Sequence, residues 1–105
     1  VARYDGTKQV YCSIHASITI DSTGNDGTYQ LSLWKDSGSG YVLLPGSEVA
    51  QQFDGTGGLS LDVGTVAINY GTLFNNTDRV VLRIQKVTGT ASDCTVTDFQ
   101  LVIRE

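Results

Sequence analysis

Apolar and polar residues alternate along most of this chain. In the segment 11–20 every even position is apolar, from Cys12 to Ile20, and every odd position is polar or aromatic. A period of two is typical of a β-strand with one buried and one exposed face. Five further segments show the same alternation, with apolar positions at Tyr29, Leu31 and Leu33; Leu59, Leu61 and Val63; Val66, Ile68 and Tyr70; Val80, Leu82 and Ile84; and Phe99, Leu101 and Ile103. The pattern predicts an all-β protein.

Residues that favour turns separate these segments and set the predicted strand boundaries. The predicted strands are 1–4, 9–20, 29–35, 41–44, 47–53, 59–63, 66–70, 79–87 and 94–104. The last of these changes phase near Thr97 or Asp98, which indicates a β-bulge. Many short strands at this spacing predict one domain over residues 1–105, an antiparallel β-sandwich of jelly-roll type.

The composition indicates which classes of partner are not expected. The 105 residues suffice for one domain with one modest core. The net charge is -4, and no cluster of Lys or Arg interrupts the acidic balance, so we expect no nucleic-acid partner. No apolar run approaches the roughly 18 residues that a membrane span needs, and no signal peptide is recognisable, so we expect no membrane partner.

The two cysteines leave two interpretations open. Cys12 and Cys94 lie near opposite ends of the chain, and a disulfide between them would close a long loop and stabilise the fold by about 4 kcal/mol. Cys12 also occupies an apolar position of its predicted strand, which favours a small buried side chain without a disulfide.

Catalytic and metal-binding patterns are weak. His15 is the one histidine and lies between Ser13 and Ser17 on the outward side of its strand, with no carboxylate or nucleophile placed by spacing. The segment with Asp21, Asn25 and Asp26 lacks the alternation of a calcium loop, and the glycines Gly55, Gly57 and Gly58 precede no helix that could bind phosphate. We therefore expect no enzyme, no metal and no cofactor.

Several aromatic and apolar residues fall on the outward positions of the predicted strands. Trp34 follows the inward Leu33, and Tyr11 alternates with Cys12. Exposed Trp and Tyr side chains are enriched where a partner or a sugar covers them. The candidate interface or ligand contacts are Tyr11, His15, Trp34, Tyr41, Val81 and Val102.

The order of these segments resembles the small jelly-roll modules of bacteriophage virion proteins, which are similar in fold to the tumour-necrosis-factor and complement-type trimers. The segments that carry the resemblance are 11–20, 27–35, 76–85, 88–90 and 95–104. Segment 27–35 follows a G-x-Y-x-L-x-L pattern, and Asp78 and Val80 match a G-D-x-V turn in which Thr77 replaces the usual glycine.

The resemblance implies a non-enzymatic protein on the virion surface. One implied role is a homotrimeric capsid decoration (cement) protein that contacts the major capsid protein. The alternative is the tip of a tail or head fibre, in which Trp34 or Tyr41 stacks on a host glycan. A secreted trimeric ligand, glycosylated at Asn75, is a third hypothesis.

Overall fold

The chain forms two antiparallel β-sheets that pack face to face. The computed structural model describes residues 2–21, 27–53, 63–88 and 95–105. The eight strands are β1 (Ala2–Arg3), β2 (Val10–Asp21), β3 (Gly27–Asp36), β4 (Tyr41–Leu43), β5 (Val49–Phe53), β6 (Val63–Phe74), β7 (Arg79–Thr88) and β8 (Thr95–Arg104). None of the described residues belongs to a helix, so none forms a helix that could cross a membrane. The predicted antiparallel β-sandwich is confirmed, and jelly-roll connectivity stays a prediction.

The two sheets differ in width. Sheet A has the order β1-β7-β3-β4, with β5 pairing the other half of the same edge of β3. Sheet B has the order β6-β2-β8. Strand β6 lies against β5 and β3, so β8, at the other edge of sheet B, lies on the opposite side of the sandwich, towards β7 and β1. We call these two sides the β4/β6 side and the β7/β8 side.

The core follows the predicted alternation. The inward residues of β2 and β3, from Cys12 to Ile20 and from Tyr29 to Leu33, are buried against those of β6 and against Val80 of β7. Their outward neighbours on β2, such as Ser13 and His15, are exposed. The core therefore lies between β2, β6, β3 and β7.

The phase change in β8 is a β-bulge, as predicted. Thr19 pairs with Asp98 and Ile20 pairs with Val96, so Thr97 is the extra residue on β8. The bulge restores the apolar side chains of both halves of β8 to the same face of the sheet.

Two expectations need correction. Residues 66–70 do not form a separate short strand, because β6 continues through Gly71 and ends at the buried Phe74; residues 59–62 lie outside the described residues. Phe99 is an inward residue of β8, as its alternation indicated, yet 56% of it is exposed. It is exposed because β1 is only two residues long and pairs with β7 only at Val80 and Arg79, which leaves much of β8 without a facing strand among the residues that the structure describes.

Candidate interaction surfaces

The six predicted contact residues divide between the two outer faces of the sandwich. Trp34, Tyr41 and Val81 are half-buried on the outer face of sheet A. Tyr11, His15 and Val102 lie on the outer face of sheet B, where His15 and Val102 are directly paired. All six lie on faces that point away from the core and form two separate surfaces, and their role as contacts stays a prediction.

The surface on sheet A is built around Trp34. The pairing of β7, β3 and β4 places Val81, Trp34 and Leu43 side by side in one row across the sheet. The indole Nε1 of Trp34 donates a hydrogen bond to Ser32 Oγ at 2.9 Å. The Arg83 guanidinium lies 4.2 Å from the centre of the Trp34 ring, so one face of the indole already has a cationic partner.

Charged and aromatic groups surround this row. Arg83 also lies 6.0 Å from the ring centre of Tyr41, and Arg79 pairs with Asp36 across β7 and β3. Hydrogen bonds from the backbone N–H groups of Gly38 and Gly40 lower the pKa of Asp36, and the charge of Arg79 lowers it further. Sheet A therefore presents a surface with aromatic, apolar and arginine side chains, and aromatic and arginine residues are enriched in protein interfaces.

The surface on sheet B is polar and concave. His15 Nδ1 and Asn69 Oδ1 are 2.8 Å apart across the β2–β6 pair. Tyr11 lies across Gly71, where a Cβ atom would overlap its phenol ring. His15 therefore has an amide partner here, whereas a hydrolytic triad needs a carboxylate to orient the histidine.

Exposed apolar side chains lie on both lateral sides of the molecule. Phe99, Val96 and Val87 are exposed on the β7/β8 side. Val42, which is 64% exposed, and the exposed Val49 lie on β4 and β5 of the β4/β6 side. The exposed Leu73 of β6 pairs with Tyr11 and therefore lies on the outer face of sheet B. Contiguous exposed apolar residues are typical of surfaces that another molecule covers.

The strand register bears on whether Cys12 and Cys94 form a disulfide. Cys12 is a buried free thiol, and its burial, with a smaller contribution from the charge of Glu105, raises its pKa. Cys94 lies outside the described residues, but Thr95 pairs with Asp21, at the far end of β2 from Cys12. Residues 12 to 21 of an extended strand span roughly 30 Å, against about 6 Å between the Cα atoms of a disulfide. The position of Thr95 therefore argues against a Cys12–Cys94 bridge.

Most of the residues considered as weak metal or phosphate sites lie outside the described part of the chain. Asn25, Asp26, Gly55, Gly57 and Gly58 lie outside the described residues. Among the described residues, no three His, Cys, Asp or Glu side chains are grouped so that they could hold a metal ion.

Both surfaces include residues that were not predicted from the sequence. Arg83 and Leu43 join Trp34 on sheet A, while Asn69, Gly71 and Arg104 join His15 on sheet B. These five residues come from four strands, β4, β6, β7 and β8, and strand register decides which of them meet. The outward phase of Arg83 and Arg104 in their own strands was the only available signal.

Compared with protein-family models, curated proteins and solved structures, the chain matches none of them.

Proposed function

We propose that this chain is a non-enzymatic surface protein of a bacteriophage virion, a homotrimer that decorates the capsid and contacts the major capsid protein. The resemblance of its strand patterns to virion jelly-roll modules supports the virion setting. The observation that carries the assembly is the pair of apolar patches on opposite sides of the sandwich, around Phe99 and around Val42.

The placement of the two patches favours a head-to-tail contact. A two-fold dimer uses the same patch on both subunits, whereas a contact between two different patches leaves one of each free for further copies. Such contacts close into a ring when the rotation between subunits allows it, and a trimer is a small closed ring of this kind. The β7/β8 side of one subunit would then pack on the β4/β6 side of the next.

This arrangement leaves the surface around Trp34 free for the capsid. Trp34, Tyr41 and Arg83 belong to the residue types that dominate binding energy at interfaces. Val81 and Leu43 extend the apolar row without adding charge. We assign this outer face of sheet A to the shell contact.

Light scattering on variants of the two sides tests the assembly. We expect a trimer for the wild-type chain, and monomers for Phe99→Glu and Val42→Glu, because each variant places a charge in one of the two patches. Ala67→Glu is the matched control, since Ala67 is exposed on the outer face of sheet B, away from both patches.

Mixing the two variants separates head-to-tail from two-fold assembly. Phe99→Glu keeps the β4/β6 side and Val42→Glu keeps the β7/β8 side, so an equimolar mixture should form a dimer with one intact contact. A wild-type monomer, or a Val42→Glu variant that stays oligomeric, contradicts the head-to-tail trimer. Absence of the protein from purified capsids, with the trimer intact, contradicts the decoration role alone.

Host-glycan recognition by a fibre tip is the second candidate. Tyr41 directly follows the 37–40 loop, whose Ser37 and Ser39 are exposed beside the Trp34 surface. An aromatic ring next to small polar side chains suits a sugar. A glycan array should then give binding that Trp34→Ala abolishes while the circular dichroism spectrum is unchanged; binding that survives this substitution contradicts a Trp34 site.

A further inference from the structure

The outer face of sheet B carries a depression that the proposed assembly does not use. It lies around Ser13 and Gly71 and has a volume of about 390 Å³, within the range of small-molecule sites. Tyr11, His15 and Arg104 are among the residues that line it. It faces away from sheet A, and thus away from the Trp34 surface.

The strand register explains why this part of the sheet is concave. Gly71, Ser13 and Arg104 form one row across β6, β2 and β8, so small residues occupy two of its three positions. Tyr11 leans over Gly71 and is 62% exposed. An aromatic ring therefore borders the depression, and part of its surface is open to solvent.

Hydrogen-bonding groups line the depression, and one pair of them lies in the row next to Ser13. Asn69 Oδ1 accepts the 2.8 Å hydrogen bond from His15 Nδ1, which orients both side chains and leaves the amide nitrogen of Asn69 available. The Ser13 hydroxyl, the Tyr11 hydroxyl and the Arg104 guanidinium make no hydrogen bond or ion pair within the described part of the chain. All of these residues are exposed, so a ligand can reach them.

The charge of the lining selects the kind of ligand. Arg104 is a cation, and no Asp or Glu belongs to the lining. Asp98, on the same face, is six residues along β8, which is roughly 20 Å. Glu105 acts electrostatically on Cys12, which lies on the opposite face of the sheet. A guanidinium without an ion pair, beside several hydrogen-bond donors, favours an anion.

We propose that this depression binds a carboxylate-bearing saccharide. The carboxylate pairs with Arg104, the apolar face of the sugar ring packs on Tyr11, and sugar hydroxyls bind Ser13, Asn69 and His15. The aromatic ring distinguishes this site from one for a small inorganic anion, because a sugar ring has an apolar face to bury on it. The inference does not depend on the trimer or on the virion.

Nuclear magnetic resonance titration of the full chain tests this site, with N-acetylneuraminic acid and methyl glucuronide as probes. We expect shift changes confined to residues 11–15, 69–71 and 102–104 for at least one acidic sugar. Neutral methyl glucoside should bind about tenfold more weakly, since it lacks the charge-assisted hydrogen bonds to Arg104.

Variants assign the roles within the site. Arg104→Gln should remove the preference for the acidic sugar, while Arg3→Gln, at an exposed arginine of sheet A, should leave it unchanged. Tyr11→Ala should weaken the sugar but not acetate. The Phe99→Glu variant should give the same titration as the wild-type chain, so that loss of the trimer is distinguished from loss of the site.

Four results would overturn the proposal. The first is that neither acidic sugar causes shift changes, and the second is that methyl glucoside binds as tightly as the acidic sugars. The third is that the shift changes centre on Trp34 and Arg83, and the fourth is that acetate binds as tightly as the acidic sugars. The last result would identify a simple anion site.

Discussion

Thr77 adopts a backbone conformation that β-branched residues rarely adopt. Its φ is 71°, in the left-handed region, within the turn that joins β6 to β7. The turn is held by hydrogen bonds from Thr77 N to Tyr4 O at 2.7 Å and from Asp78 N to Asn75 O at 3.1 Å. Glycine adopts a φ in this region without the steric cost that a side chain imposes.

Thr77→Gly should stabilise the protein. Left-handed backbone costs a residue other than glycine about 1–2 kcal/mol, and the greater freedom of glycine in the unfolded chain offsets part of this gain. The expected net increase in the free energy of unfolding is about 0.5–1 kcal/mol, measured by urea denaturation. Thr7→Gly, at an exposed position without a positive φ, should not stabilise; a less stable Thr77→Gly variant contradicts this account.

Asp36 makes the stability of the fold depend on pH, through the loop after β3. Its Oδ1 accepts hydrogen bonds from Gly38 N at 2.7 Å and Gly40 N at 3.0 Å, which lowers its pKa. A carboxyl with a lowered folded pKa adds stability above its unfolded pKa and loses it as the pH falls through the folded pKa. The stability difference between the wild type and Asp36→Asn should therefore shrink on acidification; a difference that stays constant down to pH about 2 contradicts the link.

At the edge of sheet A, one side chain supplies a hydrogen bond where the edge strand is interrupted. Strands β4 and β5 pair with successive parts of β3, and the backbone between them leaves the ladder at residues 44–48. Ser47 is fully buried there, and its Oγ accepts a hydrogen bond from Leu33 N at 3.1 Å and donates to Leu44 O at 2.7 Å. The hydroxyl replaces the missing strand partner of Leu33.

Ser47→Ala should lower the free energy of unfolding by about 1–3 kcal/mol, because the buried N–H of Leu33 loses its partner. Chemical denaturation measures the loss, and Ser37→Ala, at an exposed loop position, serves as the control. Equal stability of the two variants would mean that the Ser47 hydroxyl does not replace the ladder bond.

The register of β2 and β8 leads to a prediction about both cysteines. Unfolding the unreduced protein should release two reactive thiols per chain, since Thr95 lies at the far end of sheet B from Cys12. In the folded protein Cys12 should react slowly with a thiol reagent, because burial limits access and its raised pKa reduces the thiolate fraction. Detection of no thiol after unfolding would establish the disulfide instead.

Strand positions were predictable from the sequence, but strand partners were not. The alternation located β2, β3 and β7 closely and the bulge at Thr97 correctly, because a half-buried strand shows its period locally. The exposure of Phe99 depends on the length of β1, which lies almost 100 residues away in sequence. Likewise, no local pattern shows that Arg104 meets Ser13 and Gly71, because long-range register places them together.

At the scale of the whole molecule, Lys35 ties the two sheets together at one end. It belongs to β3 of sheet A, and its Nζ donates a hydrogen bond to Leu73 O of sheet B at 2.9 Å. The same amine lies 3.6 Å from Asp78 Oδ2 and 5.7 Å from the ring centre of Phe74. Asp78 is buried and also accepts a hydrogen bond from Asn75 N, so Lys35 is the cation that compensates its charge among the described residues.

Lys35→Met should therefore destabilise the sandwich by about 2 kcal/mol, below the 3–5 kcal/mol typical of a fully buried pair because Lys35 is only partly buried. Methionine keeps the packing of the aliphatic stem, so the loss reports the uncompensated carboxylate rather than a cavity. Adding Asp78→Asn should recover part of the stability, and Lys8→Met, at an exposed position, should change little. If the double variant is no more stable than Lys35→Met, the two charges are not coupled, and the hydrogen bond to Leu73 alone accounts for the role of Lys35 in joining the sheets.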